Sequence, residues 1–374
     1  MSKQVVVRST KNYEQLDNYI RDNGVKSIFL VCGASIKYLD IKKYIDGLVQ
    51  RGINIVCFSE FESNPLYDSV VKGVKLFKES GCDVIMAVGG GSAMDVAKCI
   101  KLYSNMDDDK NYLTQEIVPN DVKLIAVPTT AGTGSEATRY AVIYYNGEKQ
   151  SVSHTSCIPD FVLLDGSTVV SLPMYHKKAS MMDAMCHAIE AFWSVNSTDE
   201  SKEYSRKALK LIIKNRDAYL AGEYEGCVNM LEAAFYAGKA INITQTTAGH
   251  AMCYKLTSMY GLAHGHAAAL CVRELFGYMA DNTALCTDAR GREYLDETFV
   301  QLADALGKES VEEAVAYYKE FVDSLELDIP VPNEGDFYIL KSSVNTDRLK
   351  NNPVGLTTES IDKLYHKILI RNGE

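Results

Sequence analysis

The chain has 374 residues, 47% of them hydrophobic and 24% charged, with a formal net charge of −10. That length exceeds one ordinary core and sets two domains as the starting expectation, and the composition is that of a soluble globular protein. The acidic balance argues against nucleic acid or an anionic membrane as the main partner, while leaving room for a local cationic pocket. No run approaches the ~18 apolar residues of a membrane span. The segment MSKQVVVRSTKNYEQ has neither the apolar core nor the cleavage site of a signal peptide. Ten cysteines without a CxxC pair read as reduced, mostly buried thiols of a cytoplasmic protein.

From residue 1 to about 170, short apolar runs at 27–32, 54–58, 84–88 and 124–127 alternate with amphipathic segments at 36–50, 67–79 and 93–103. Strands spaced by helices imply parallel βαβ units and an open α/β sheet covered on both faces. Two strand ends carry unusual turns. In VIMAVGGGSAMDVAK the strand runs into Gly89, Gly90, Gly91 and Ser92 and then a helix. Three glycines let backbone amides approach a ligand, and the helix N-terminus offers unpaired N–H groups, which is the chemistry of a pyrophosphate cradle. It is not GxGxxG, and packing in a tight turn is the competing reading. In LIAVPTTAGTGSEATRYAV, Thr129, Thr130, Thr133 and Ser135 supply hydroxyls between flexible Gly132 and Gly134. Two such loops beyond neighbouring strand ends suit one extended ligand such as a nicotinamide dinucleotide.

After Pro173 no proline occurs until Pro330, and the Ala-, Leu-, Lys- and Glu-rich stretch between reads as helices. Ser171 and Pro173 suggest a cap and first turn for the helix of SMMDAMCHAIEAF. Further helical runs lie at 201–215, 228–242, 264–281, 294–306, 311–325 and 358–370, with a loop beginning at Pro330 and Pro332. The expected division is an α/β dinucleotide-binding domain over 1–170 and an all-helical metal-binding domain over 171–374, facing each other across a cleft. Asp183 and His187, at i and i+4, share one helix face. With His250 and His264 they offer one carboxylate and three imidazoles, a set able to hold Fe(II), Zn(II) or another first-row ion. Any one of these histidines alone reads as a core or surface residue. Four of the seven in the chain, His266 included, fall within this window, which favours a site.

The ordered motifs GGGSAMDVAK, PTTAGTGSE and DAMCHAIEA, then His250 and His264 fourteen residues apart, resemble the iron-containing (group III) alcohol dehydrogenases over essentially the whole chain. The resemblance implies a dinucleotide-binding α/β domain followed by an all-α domain, the dehydroquinate synthase-like architecture. It implies metal ligands at Asp183, His187, His250 and His264, and a phosphate-binding turn at Gly89, Gly90, Gly91, Ser92 and Asp95. It also places Thr129, Thr130, Thr133 and Ser135 beside the nicotinamide. The family chemistry is hydride transfer from a reduced nicotinamide to a carbonyl polarised by the metal.

Three departures from the family pattern bear on function. Many relatives carry a proton-relaying His where this chain has Tyr254; the donor here is Tyr254, His266 or water, and Tyr254 reads equally as a pocket wall. Gly33 replaces the Asp that meets the adenosine ribose in NAD-preferring relatives, and with Ser35 and Lys37 nearby this favours NADP(H) over NAD(H). Arg139 and Lys149, with His154, suit an aldehyde bearing a phosphonate or carboxylate; an ion-pair role for Arg139 is the alternative. The runs TRYAVIYYNGEKQSVSH and HAMCYKLTSMYGLAHGHA look closest to the branch that reduces phosphonoacetaldehyde to 2-hydroxyethylphosphonate. A general short-chain alcohol dehydrogenase or semialdehyde reductase is the alternative within the family. A dehydroquinate synthase-like lyase and a non-enzymatic binder stand further off. A homodimer or higher homo-oligomer is the family's usual assembly.

Overall fold

The structure, a computed structural model, describes residues 4–344 and 349–370. Its strands are β1 (Val5–Arg8), β2 (Ser27–Cys32), β3 (Asn54–Phe58), β4 (Val84–Gly89), β5 (Lys123–Pro128), β6 (Tyr140–Tyr145), β7 (Glu148–Ser153) and β8 (Phe161–Leu164). Six of them form one sheet in the order β1-β8-β5-β4-β2-β3, with every pairing parallel. β6 and β7 form a separate antiparallel hairpin. The four expected strands are present. β1 and β8 escape sequence reading because each is only four residues long, β1 with its side chains largely exposed at a sheet edge. All six residues of β4 are buried, as a strand covered on both faces requires.

Helices α1 (Glu14–Asp22), α2 (Asp40–Gln50), α3 (Tyr67–Ser80) and α4 (Gly91–Tyr103) connect the strands, and a short α5 (Ser167–Val170) follows β8. On one face Leu16 and Ile20 of α1 and Ile41, Ile45 and Leu48 of α2 join Leu30, Met86, Val88, Ile125 and Leu163 in one core. The helix expected over 36–50 is in fact two pieces. A 3-10 turn covers Ala34–Tyr38, Leu39 is extended, and α2 starts at Asp40. Ile36 and Leu39 remain buried across the break, so the apolar periodicity runs through it and hides it. From β2 the chain steps outward to β3 and then returns across β2 to β4, so the order reverses between β2 and β4. Ligands of open α/β sheets bind beyond the strand ends at such a reversal. Gly33 follows β2 there, and Gly90 follows β4.

The chain then continues as α6 (Met174–Trp193), α7 (Asp199–Leu220), α8 (Tyr224–Thr244), α9 (Ala248–Tyr260), α10 (His264–Asp281), α11 (Arg292–Ala305), α12 (Val311–Asp323), α13 (Asp336–Ser342) and α14 (Thr358–Leu369). Pro173 is itself the residue before α6 and no side chain caps that end, so the expected Ser171 cap is absent. α13 lies where a loop was expected, anchored by fully buried Leu340. By contacts the described residues form two compact units. One comprises residues up to Leu172 with Asp217–Phe235; the other comprises Pro173–Arg216 and the chain from Tyr236 onward. The turn between α7 and α8 joins the first unit because Arg8 binds Glu225, Asn229 and Glu232, and Tyr224 donates to the carbonyl of Ser9. Nothing in the helical periodicity of those residues marks this membership. All ten cysteines are free, and all but Cys57 and Cys286 are buried. Among the described residues no helix is long and apolar enough to cross a membrane.

Candidate functional site

α6 is buried almost all round from Met181 to Trp193, so any polar side chain there must find a partner. Asp183 and His187 do so one turn apart, with Oδ1 and Nε2 3.9 Å from each other. α9 brings His250 alongside, its Nε2 3.5 Å from Asp183 Oδ1 and its ring stacked on His187 at 4.5 Å between centroids. One donor atom from each of the three lies within 4.8 Å of the others. All three residues are at most 6% exposed. His264, the first residue of α10, borders this trio: its ring centroid is 5.3 Å from that of His250 and its Nδ1 is 3.6 Å from Cys253 Sγ. The tight cluster therefore contains three of the four expected ligands, with the fourth beside it.

Two glycines make this convergence possible. A Cβ at Gly265 would stand 2.0 Å from the Ala179 carbonyl oxygen and 2.6 Å from Asp183 Cβ, so only glycine lets the start of α10 touch α6. A Cβ at Gly249 would meet Val272 at 2.5 Å and Glu190 Oε1 at 3.0 Å. Electrostatics follow from the packing. Burial would raise the Asp183 carboxyl, but the facing His187, His250 and His264 outweigh it and hold it well below the carboxylate range. Burial would lower His250, yet the Glu190 and Asp183 carboxylates lift it to about 9. A buried carboxylate–imidazole set of this kind fits a borderline divalent ion, which would replace the shared protons.

The two residues expected to move protons are placed differently from each other. Tyr254 stacks on His264, centroids 5.4 Å apart and 28° between planes. His266 is only 1% exposed, with Nδ1 3.1 Å from the Tyr175 hydroxyl, which also accepts from the Ala263 N–H. Burial lowers the His266 pKa.

In the first unit the two Gly- and Thr-rich loops form one structure. β4 and β5 pair side by side, and the Thr129 N–H donates to the Gly89 carbonyl. A Cβ on Gly90 would press on Thr130 at 3.1 Å, and one on Gly91 on Thr133 at 3.1 Å, so the glycines serve close approach rather than unusual dihedrals. No side chain caps α4 and no acidic residue sits in its first turn, which leaves its amides for an anion. Ser92 lies in that turn. Asp95 and Ser135 are placed otherwise: Ser135 Oγ donates to Asp95, tying α4 to the threonine loop. Lys98, fully buried, completes the tie by donating to Ser135 O and Oγ, Thr138 Oγ1 and Tyr140 O. Burial pushes the Asp95 carboxyl up to about 6 against the pull of Lys98. At the neighbouring strand end a Cβ on Gly33 would meet nothing within 4 Å, and Ser35 and Lys37 are exposed on the 3-10 turn, Lys37 over the Tyr38 ring.

The expected cation pair does not come together. Arg139 precedes β6 and its carbonyl accepts from His154, whereas Lys149 sits opposite Tyr144. Five residues of strand, roughly 17 Å, therefore separate their backbones. Arg139 lies over the Tyr140 ring and donates to its hydroxyl, while Lys149 acts electrostatically on Asp95. His154 Nδ1 accepts from the Ser156 N–H and caps a local turn. Hairpin register sets this separation, and the spacing in sequence conceals it. Sequence reading also missed Glu190, Gly265, Gly249 and Lys98. A signal for Glu190 was present, since 183, 187 and 190 share one helical face.

A parallel sheet with an open anion cradle, in a chain that also gathers a buried carboxylate–imidazole cluster, is the equipment of a metal-dependent oxidoreductase. Residues 4–166 match the family described as iron-containing alcohol dehydrogenase, and residues 177–369 match the C-terminal part of the same family. The chain belongs to the iron-containing alcohol dehydrogenase family, which sets the lyase reading aside. It is 30% identical to the phosphonoacetaldehyde reductase of Streptomyces viridochromogenes, over 79% of each chain. It is 26% identical to long-chain-alcohol dehydrogenase 1 of Geobacillus thermodenitrificans, over 89% of this chain and 85% of that one. In fold it matches a sulfoacetaldehyde reductase from Bifidobacterium kashiwanohense solved with NAD+, at TM-score 0.88 and 23% identity, covering 100% of this chain and 98% of the other.

Proposed function

We propose that this protein is a metal-dependent, nicotinamide-linked aldehyde reductase acting on a small aldehyde with an anionic group, with phosphonoacetaldehyde as the leading substrate. The observation that carries the metal chemistry is the buried convergence of Asp183, His187 and His250. Asp183, His187, His250 and His264 would hold Fe(II) or Zn(II), which supplies Lewis-acid polarisation of a carbonyl when bound. Around it, Glu190 orients His250, while Gly249 and Gly265 hold α9 and α10 against α6. Tyr254, whose ring stacks on His264, is the proposed donor of the alcohol proton, with His266 and water as the other sources. Gly89, Gly90, Gly91, Ser92, Thr129, Thr130 and Thr133 cradle the dinucleotide, and Asp95, Ser135 and Lys98 hold the cradle closed. Open space at Gly33 favours NADP(H) over NAD(H), because a 2′-phosphate meets no carboxylate there.

The substrate reading is supported by the relative named phosphonoacetaldehyde reductase and by Arg139, whose planar fork suits three phosphonate oxygens. The relative named for long-chain alcohols supports the second reading, a dehydrogenase of uncharged alcohols. A cytoplasmic homodimer or larger homo-oligomer completes the proposal. The test is NADPH oxidation by protein loaded anaerobically with Fe(II) or Zn(II), using phosphonoacetaldehyde, a carboxylated semialdehyde and an uncharged short aldehyde. A preference of at least tenfold for phosphonoacetaldehyde, lost in Arg139→Ala, is expected. Equal turnover of the uncharged aldehyde would leave a general alcohol dehydrogenase.

A further inference from the structure

We infer that Glu190 is a positioning residue for the metal centre: by accepting the Nδ1 proton of His250 it fixes the tautomer whose Nε2 lone pair faces Asp183. The inference rests on the metal-binding reading of Asp183, His187 and His250.

Glu190 is fully buried on α6, seven residues after Asp183 and on the same face. Its Oε2 is in contact with His250 Nδ1. Its Oε1 accepts from Thr247 N at 3.1 Å, Thr247 Oγ1 at 2.7 Å and His250 N at 3.2 Å. Thr247 Oγ1 in turn accepts from Trp193 Nε1 at 2.9 Å, so the carboxylate sits at the end of a buried hydrogen-bond chain. Gly249 is needed for this as well, because a side chain there would press on Glu190 Oε1. An ionised carboxylate only accepts, so Nδ1 must be the donor. Once a metal ion replaces the second proton, the imidazole is neutral and carries one N–H, so Nε2 offers its lone pair to the ion. That nitrogen is the one 3.5 Å from Asp183 Oδ1. Outer carboxylates of this kind fix ring orientation and raise ligand basicity, and losing one typically weakens metal binding ~10–100-fold.

A merely structural Glu190 would hold α6 to α9, and glutamine keeps that ability. In Glu190→Gln the amide oxygen still accepts from Thr247 and the His250 N–H. The amide nitrogen, however, donates to Nδ1 and forces the imidazole proton onto Nε2, where it competes with the metal. The experiment titrates chelator-stripped full-length wild type and Glu190→Gln with Co(II), reading affinity and the visible d–d bands, with melting of the metal-free proteins measured in parallel. Wild-type uptake with binding at least tenfold weaker in Glu190→Gln, altered bands at saturation and unchanged melting is the expected result. Affinity within twofold of wild type overturns the inference. If Glu190→Gln melts early, the same substitution in a His250→Ala background decides: no further loss of residual affinity supports positioning, and the same factor in both backgrounds overturns it. Wild-type protein that takes up no Co(II) overturns the metal reading itself, and the inference with it.

Discussion

Gly265 is where the geometry of the candidate metal cluster is most exposed to a single methyl group. In Gly265→Ala the new Cβ would lie 2.0 Å from the Ala179 carbonyl oxygen, 2.6 Å from Asp183 Cβ and 2.8 Å from the Asp183 amide nitrogen. None of these is the tip of a flexible side chain, so rotamer changes give no relief. Reaching even 3.0 Å from the carbonyl requires the start of α10 to move by ~1 Å relative to α6, an overpacking error that costs roughly 1–3 kcal/mol. At about 2–4 °C per kcal/mol for a unit of this size, melting should fall by several degrees. The second effect is the more telling one. His264 precedes Gly265 directly, and metal–ligand distances tolerate only ~0.2 Å, so under the proposed four-ligand reading the shift would take His264 out of reach of the ion. Affinity for Zn(II) is expected to drop on the order of 10–100-fold, comparable to losing a ligand's orientation. Scanning fluorimetry of the metal-free protein and calorimetric titration with Zn(II) read the two effects separately. Gly47→Ala is the control, because a Cβ there meets nothing within 4 Å inside α2; it should melt at the same temperature or slightly higher. Gly265→Ala with wild-type melting and wild-type Zn(II) affinity would refute the claim that this contact sets the site.

Lys98→Met removes the buried cation that holds Ser135, Thr138 and Tyr140; denaturation should show a loss of about 3–5 kcal/mol, and initial rates a dinucleotide KM raised about tenfold with kcat little changed. Gly33→Asp puts a carboxylate into open space at the end of β2 and should lower kcat/KM for NADPH at least tenfold while leaving NADH within a few-fold. Burial raises the Glu136 carboxyl from 4.5 to about 7, and its Oε1 has no hydrogen-bond partner. A carboxyl whose folded value is raised stabilises the fold below its unfolded pKa, and that stability drains as pH rises from about 4.5 through about 7. Glu136→Gln should flatten this decline and melt higher than wild type at pH 8; an unchanged pH profile would show that Glu136 is not the group responsible.

Much of the architecture was legible because the physics that shapes it is local. Buried parallel strands write continuous apolar runs, as at 84–88, and proline cannot lie within the long helices after Pro173. The Asp183/His187 pair was readable because both lie on one turn of one helix. What was hidden depends on contacts between distant segments. The hairpin register separates Arg139 from Lys149, although ten residues of sequence suggest a joint site. Asp95 and Ser135 read in sequence as ligand-facing residues, whereas Ser135 donates to Asp95 and accepts from Lys98. Glu190 and Gly265 stand inside quoted motifs, yet their roles emerge only when α9 and α10 are packed on α6. Short edge elements such as β1, and the break at Leu39, fall below what periodicity resolves.

Metal-dependent reduction stands or falls on the stoichiometry of reactivation. Chelator-stripped protein would be titrated anaerobically with Fe(II) while NADPH oxidation by phosphonoacetaldehyde is followed. No turnover is expected without metal, then a linear rise to a plateau at one ion per chain, absent in Asp183→Ala. Full turnover by stripped protein, or by Asp183→Ala, would contradict metal dependence.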